Sequence, residues 1–171
     1  PSESLCYPAK LTNGHIMDLV QKEVDLIFYP SIPYDMKEDL GADNRFSCPI
    51  VTSYPEVIAN NMDVLREAQV EFLHPFLPMF HPKRMKERLF EILAEHYSLN
   101  RGEISAATDR AYAELECYNQ DVRMEGDRAL AYIKENALSA IVLAGRPYHV
   151  DPEVNHGIPE MINTLGVAVL S

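Results

Sequence analysis

Four short apolar runs, separated by stretches with helical periodicity, decide the fold class of this chain. One run, residues 24–29, stops at Pro30, and another, residues 139–144, ends at Gly145. The other two runs are residues 70–73 and 166–171. Strands that alternate with helices form parallel sheets, so we expect an α/β fold, a Rossmann-like parallel sheet flanked by helices.

The remaining periodicity predicts where the helices lie. Apolar spacing indicates helices over residues 14–23, 55–69, 82–97, 105–136 and 152–165. Asn13 suits the N-cap of the first helix, and Pro55 suits the first turn of the second. Residues 50–53 predict another short buried strand, and Gly126 is expected to bend or break the longest helix.

A long helical segment divides the chain into three parts. We expect residues 1–80 to form a first α/β unit with cysteine-bearing loops, 81–138 to form the helical segment, and 139–171 to start a second α/β unit. The final apolar run resembles a buried parallel strand, which is normally followed by a crossover helix. The chain is therefore expected to be a piece of a longer protein.

Charge and composition exclude several classes of protein. The formal net charge is −11, from 15 basic and 26 acidic residues, which argues against binding to nucleic acid or to an anionic membrane surface. No window approaches the roughly 18 apolar residues of a membrane span, and no signal peptide is present. Three cysteines are too few for a disulfide framework, so a reducing cytoplasm is the expected compartment.

Two cysteines beside prolines are the first candidates for chemistry. Cys6 and Cys48 lie at predicted loop ends, where thiolates bind iron–sulfur clusters or zinc. Two thiolates fill half of a four-ligand site and no C-x-x-C pair exists, so the spacing alone favours loop cysteines without a metal. Lys10 and His15 follow Cys6 at a helix start that could face an anion or a cluster, or activate a nucleophilic thiol. The same residues also describe a plain capped helix, which the sequence alone favours. Cys117, within the long helix, is interpreted as structural.

The densest run of special residues, 145–159, follows a predicted strand at the end where ligands bind in open α/β sheets. Arg146 suits a carboxylate or phosphate, and the side chains of His149, Asp151 and His156 suit acid–base chemistry or metal ligation. The same run equally describes a well-bonded turn stiffened by prolines. It contains neither a dinucleotide fingerprint nor a P-loop. No chemistry is assigned to His74, His81 or His96.

A family resemblance rests on motifs that span nearly the whole chain. Its carrying residues are 4–10, 14–16, 25–30, 48–51, 54–55, 145–149, 151–153 and 155–159. With these motifs the chain resembles the DUF2229 or acyl-CoA dehydratase activase-related domain, which is fused to or encoded near activases of 2-hydroxyacyl-CoA dehydratases. The most specific part is Gly-Arg-Pro-Tyr-His at 145–149.

The resemblance implies a site and partners. The related dehydratase subunits hold a [4Fe-4S] cluster through cysteines in loops at strand ends, so Cys6 and Cys48 would be ligands. Further ligands would lie beyond Ser171, which places the cluster in the full-length protein. An ATP-hydrolysing activase would be the partner, and a CoA thioester or another small anion the substrate. The residues expected near the cluster or substrate are Lys10, His15, Arg146, His149, Asp151 and His156.

Three functional hypotheses follow. The leading one is an iron–sulfur, electron-transfer or dehydratase-like module of an anaerobic enzyme system. A second is a non-catalytic scaffold that docks an activase onto its target. The third is an α/β domain that binds an anionic acyl or phosphate group at Arg146. None of them decides whether the module is itself an enzyme or one part of an ATP-driven dehydratase or reductase.

Overall fold

The computed structural model describes residues 5–37 and 39–171. Ser4 of the cysteine motif, the three residues before it and Glu38 lie outside the described residues. The chain forms two compact units, the first ending at Tyr112 and the second beginning at Ala113. Within the described ranges, no helix combines the length and apolar character needed to cross a bilayer.

Helices and strands alternate in both units. The first unit contains α1 (Tyr7–Gln21), β1 (Leu26–Phe28), α2 (Pro49–Asn61), α3 (Asp63–Glu67), β2 (Glu71–Leu73) and α4 (Pro82–Leu93). The unit boundary falls within α5 (Arg101–Glu135). The second unit continues with β3 (Ala140–Val142), a 3-10 turn (Pro147–Val150), α6 (Pro152–Asn155), α7 (Ile158–Thr164) and β4 (Ala168–Leu170).

The described strands form two parallel pairs. β1 pairs with β2 so that Ile27 lies opposite Phe72, and β3 pairs with β4 so that Ile141 lies opposite Val169. In each unit, helices connect the two strands, as parallel pairing requires. The predicted α/β class with parallel sheets is therefore confirmed, whereas the larger Rossmann-like sheet and the three-part division of the chain stay predictions.

The core of the first unit lies between α1, α2, α3 and the β1–β2 pair. Its central cluster consists of Ala9, Ile16, Ile27, Tyr54, Ile58 and Leu65. Ile58 is 1% exposed and is the most completely buried of them. In the second unit, by contrast, every described residue is at least partly exposed.

Three predictions in the first half are wrong. Residues 50–53 form part of α2 rather than a strand, because Pro49 starts the helix and positions 50, 54 and 58 place an apolar stripe against the core. Asn13 lies inside α1 rather than at its N-cap, since the helix already begins after Cys6. Pro55 also lies inside its helix, where it is fully buried.

The second half differs from prediction at three places. Gly126 does not interrupt α5, which runs through to Glu135. The helix predicted over 152–165 is two helices, because His156 and Gly157 adopt left-handed backbone conformations between them. The expected buried strand at 139–144 is the short β3, whose three residues are all exposed.

Candidate functional site

Cys6 is the N-cap of α1, and its thiol is exposed. Pro8 occupies the first turn, where a missing backbone N–H costs nothing and the fixed φ suits the helix. The Cys6 carbonyl accepts the N–H of Lys10 at 3.2 Å, which closes the first helical turn. The Cys6 side chain makes no capping hydrogen bond, so the sulfur is not used to satisfy the helix end.

Cys48 repeats this arrangement at the start of α2. Pro49 follows it in the first turn, and the Cys48 carbonyl accepts the N–H of Thr52 at 3.1 Å. This thiol is likewise exposed and makes no capping bond. Neither α1 nor α2 has an acidic side chain in its first turn. Both sulfurs therefore lie at the positive end of a helix dipole, where negative charge is stabilised.

Side-chain contacts place the N-terminal halves of both helices at the same edge of the β1–β2 sheet. The Ser31 hydroxyl, just beyond the end of β1, donates to the Thr52 carbonyl in the first turn of α2 at 2.9 Å. Thr12 of α1, whose hydroxyl donates to the Pro8 carbonyl at 3.0 Å, lies close enough to Tyr29, the residue after β1, to lower its pKa. The structure thus brings the N-terminal halves of α1 and α2 to the carboxyl edge of the parallel strands, where ligands bind in α/β folds.

A polar pair joins the two helices below the thiols. The Asn13 side-chain amide of α1 donates to the Tyr54 hydroxyl of α2 at 2.7 Å. Tyr54 is 4% exposed and belongs to the core cluster. Burial raises the pKa of Tyr29, the nearby Thr12 side chain lowers it, and the nearby Tyr54 raises it further; the net shift is upward. The layer beneath the thiols is therefore ordered and mostly withdrawn from water.

The two predicted neighbours of Cys6 differ in position. Lys10 follows it by four residues, so both lie on one face of α1, and its side chain is exposed. His15 follows by nine residues, about 13 Å along the axis and on the opposite face. Its imidazole is exposed there. The helix therefore keeps Lys10 beside Cys6 and carries His15 away from it.

The donor set fits part of an iron–sulfur site. Cys6 and Cys48 supply two exposed thiols at one sheet edge, and soft thiolate is the ligand that clusters take. In the part of the chain that the structure describes, no three His, Cys, Asp or Glu side chains converge as a metal ion would need. Cys117 is also exposed, on the portion of α5 in the second unit. The described thiols of the first unit thus offer half of a four-ligand site.

Gly145 allows an imidazole to close the loop after β3. His149 Nδ1 accepts the backbone N–H of Arg146 at 3.0 Å, and a Cβ at Gly145 would overlap that same nitrogen. Because Nδ1 accepts, the neutral imidazole carries its proton on Nε2. The Tyr148 ring packs against His149 edge-on, with centroids 4.4 Å apart. These contacts shape the loop, and Arg146 and His149 are both exposed.

Asp151 is the N-cap of α6. Its Oδ1 accepts the backbone N–H groups of Glu153 and Val154 at 2.9 and 3.2 Å, so it caps α6. His156 has φ 53° and ends the same helix, with its side chain exposed. Of the candidates in this segment, Asp151 is thus engaged with backbone, and the well-bonded turn accounts for its position.

A cleft that the sequence did not indicate lies beside β2 and α4. Its volume is about 570 Å³, and its lining includes Phe72, Phe76, Arg88, Glu91, Ile92 and Glu95. His74 Nδ1 lies 2.8 Å from Glu56 Oε1, and His96 Nδ1 lies 3.0 Å from Glu71 Oε1. Each histidine borders the cleft and is oriented by a carboxylate. Only one local signal pointed there, the position of His74 directly after a predicted strand.

Comparison with known proteins gives one match. The family model described as the CoA enzyme activase uncharacterised domain, DUF2229, matches residues 1–171, the whole chain. No curated protein and no solved structure gives a significant match.

Proposed function

The chain belongs to the DUF2229 family of CoA enzyme activase-related domains, and from that membership we propose that it is an iron–sulfur-binding module for electron transfer or dehydration. The observation that carries the proposal is the pair Cys6 and Cys48. Each cysteine is the N-cap of a helix that has a proline in its first turn, and both helices begin at the carboxyl edge of one parallel sheet.

The charge of the site supports an anionic, thiolate-bound group. Two helix N-termini without acidic first turns favour negative charge, and Lys10 adds a cation on the Cys6 face of α1. The backbone N–H groups of the first turns are available for hydrogen bonds that tune such a group. When bound, a [4Fe-4S] cluster supplies one-electron chemistry at low potential. It takes four ligands, so the proposal requires two beyond Cys6 and Cys48.

The setting of the module is part of the proposal. Its partner is an ATP-hydrolysing activase, since this chain lacks a P-loop, and its substrate class is a CoA thioester or a related small anion. A cytoplasm that keeps Cys6, Cys48 and Cys117 reduced suits the three free thiols. We take the two parallel strand pairs to be parts of Rossmann-like sheets.

Iron and sulfide content test the proposal most simply. The full-length protein is purified without oxygen, beside Cys6→Ala, Cys48→Ala and the matched control Cys117→Ala. We expect iron in the parent and in the Cys117 variant, and its loss from each of the other two. A well-folded parent without iron, or iron that survives both single substitutions at Cys6 and Cys48, would contradict the proposal.

A docking role is the second candidate. It is favoured by exposed apolar side chains in the second unit, where Val142 of β3 is 69% exposed and Met161 of α7 is 59% exposed. Parallel sheets are normally covered on both faces, so an activase or another enzyme partner would cover this surface. Under this alternative Cys6 and Cys48 are spectators, and changing both leaves binding of the activase unchanged. An activase complex that is lost with the thiols would rule it out.

A further inference from the structure

Resting on the proposed function, we propose that Asn13 and Tyr54 are positioning residues that set the separation of the Cys6 and Cys48 thiols. The Asn13 Nδ2 group donates to the Tyr54 hydroxyl at 2.7 Å and to the Ala9 carbonyl at 3.0 Å. An amide nitrogen carries two protons, so both are engaged. One ties the side chain to its own helix, and the other ties α1 to α2.

This bond lies where it strongly restrains the helices. Tyr54 is 4% exposed and packs in the same cluster as Ala9 and Ile58. The bond is part-buried, and a hydroxyl that loses its partner in such surroundings is costly to the extent that it stays unsatisfied. The packed apolar side chains hold the helices together, and the directional hydrogen bond selects one relative placement of them.

The two thiols lie at nearly equal distances along their helices from the Asn13–Tyr54 hydrogen bond, which we call the joint. Asn13 follows Cys6 by seven residues, and Tyr54 follows Cys48 by six. At a rise of about 1.5 Å per residue, the joint lies about 10 Å along α1 from Cys6 and about 9 Å along α2 from Cys48. Because both helices start at one sheet edge, these equal arms bring the thiols to a similar height above the sheet.

The arms also amplify small changes at the joint. A change of about 10° in the angle between two helices moves a group about 10 Å away by roughly 2 Å. Ligand sites tolerate displacements of only about 0.5 Å. Removing the hydrogen bond is therefore expected to change the spacing of the Cys6 and Cys48 thiols more than it changes the stability of the fold. A positioning role can thus be distinguished from a purely stabilising one.

A chemical ruler tests the thiol spacing without iron. The iron-free full-length protein is treated with bifunctional maleimides of graded length, and the peptide cross-linked between Cys6 and Cys48 is quantified by mass spectrometry. The variants are Asn13→Ala and Tyr54→Phe. Asn60→Ala is the matched control, because its amide donates to the Glu56 carbonyl of its own helix at 2.8 Å and forms the same local bond.

We expect the parent and Asn60→Ala to share one preferred spacer length. In Asn13→Ala and Tyr54→Phe the yield at that length falls about two- to tenfold, the range expected for loss of one hydrogen bond. The double variant loses no more than either single one, because the two residues act through the same bond. A general loss of stability would instead lower Tm and leave the preferred spacer unchanged.

An unchanged spacer preference in both single variants would overturn the inference, as would an equal change in Asn60→Ala. If Tyr54→Phe does not fold, Asn13→Ala decides the question alone, because Asn13 is only partly buried. The ruler is independent of the proposed function. A protein that never binds iron but shows the predicted spacer shift would refute the cluster and leave the positioning role standing.

Discussion

The two units use the same parallel strand–helix–strand arrangement but differ in how far their side chains are buried. In the first unit Ile27 of β1 is 4% exposed, whereas Ile141 at the corresponding middle position of β3 is 43% exposed. Every fully buried residue of the described chain lies before Ala113. Precise placement of a ligand needs packed supporting side chains. Cys6 and Cys48 lie in the first unit, which is the unit with such a packed core.

The largest expected effect comes from cutting the core of the first unit. Ile58→Ala removes methylene groups from a side chain that is 1% exposed, and we expect the free energy of unfolding to fall by about 2–5 kcal/mol. The matched change Ile141→Ala, at a site 43% exposed, should cost at most about 0.5 kcal/mol. Urea denaturation measures both, and similar losses would erase the distinction between the units.

Two glycine substitutions in the second half should change the stability of the second unit in opposite directions. Gly145→Ala places a Cβ onto His149 Nδ1 and should destabilise the second unit by about 1–3 kcal/mol, as overpacking does. Gly126→Ala meets no atom within 4 Å on an unbroken α5 and should stabilise it by about 1 kcal/mol. Amide hydrogen exchange in the second unit measures both. Equal effects would mean that the His149 contact does not shape the loop.

The cap of α6 gives a smaller effect. Asp151→Ala removes the acceptor for two backbone N–H groups and should cost about 1 kcal/mol. Asp151→Asn keeps an acceptor and should cost much less, as thermal unfolding monitored by circular dichroism would show. If both variants lost the same stability, the charge rather than the capping bond would be the important property.

The smallest expected effect is a dependence on alkaline pH. The pKa of Tyr29 is raised from 10.0, chiefly by burial. The unfolded chain therefore loses this proton first, and the stabilising contribution present below pH 10 declines as pH rises through the folded pKa. Tyr29→Phe should flatten this decline, whereas Tyr132→Phe, at a site 61% exposed, should not. Equal slopes in urea titrations above pH 10 would contradict the assignment.

Local sequence signals predicted the strands better than they predicted the contacts. β1 and β2 lie within the predicted runs because apolar residues are dense there and proline or polar residues bound them. Residues 50–53 were wrongly predicted as a strand because β-branched side chains favour strands. In the structure Pro49 starts a helix there, and Ile50 packs against the core cluster. Asn13 is of a residue type that favours N-caps. In the structure its side chain instead bonds Tyr54, 41 residues away in the sequence.

The candidate site shows the same division. Proline beside each cysteine indicated loop ends, and the structure refines these to helix N-caps. The pairing of His74 with Glu56 and of His96 with Glu71 could not be predicted, because each pair joins separate elements of the tertiary fold. Sequence patterns report periodicity and local bonds, and they leave open which side chains meet across elements.

Electron paramagnetic resonance of the reduced, anaerobically purified full-length protein tests the central claim most directly. The claim is that Cys6 and Cys48 form one thiolate pair that holds a cluster. It predicts an iron–sulfur signal in the parent and in Cys117→Ala, and its loss or transformation in both Cys6→Ala and Cys48→Ala. A signal of unchanged shape and intensity in those two variants, or its absence from a folded parent, would contradict the claim.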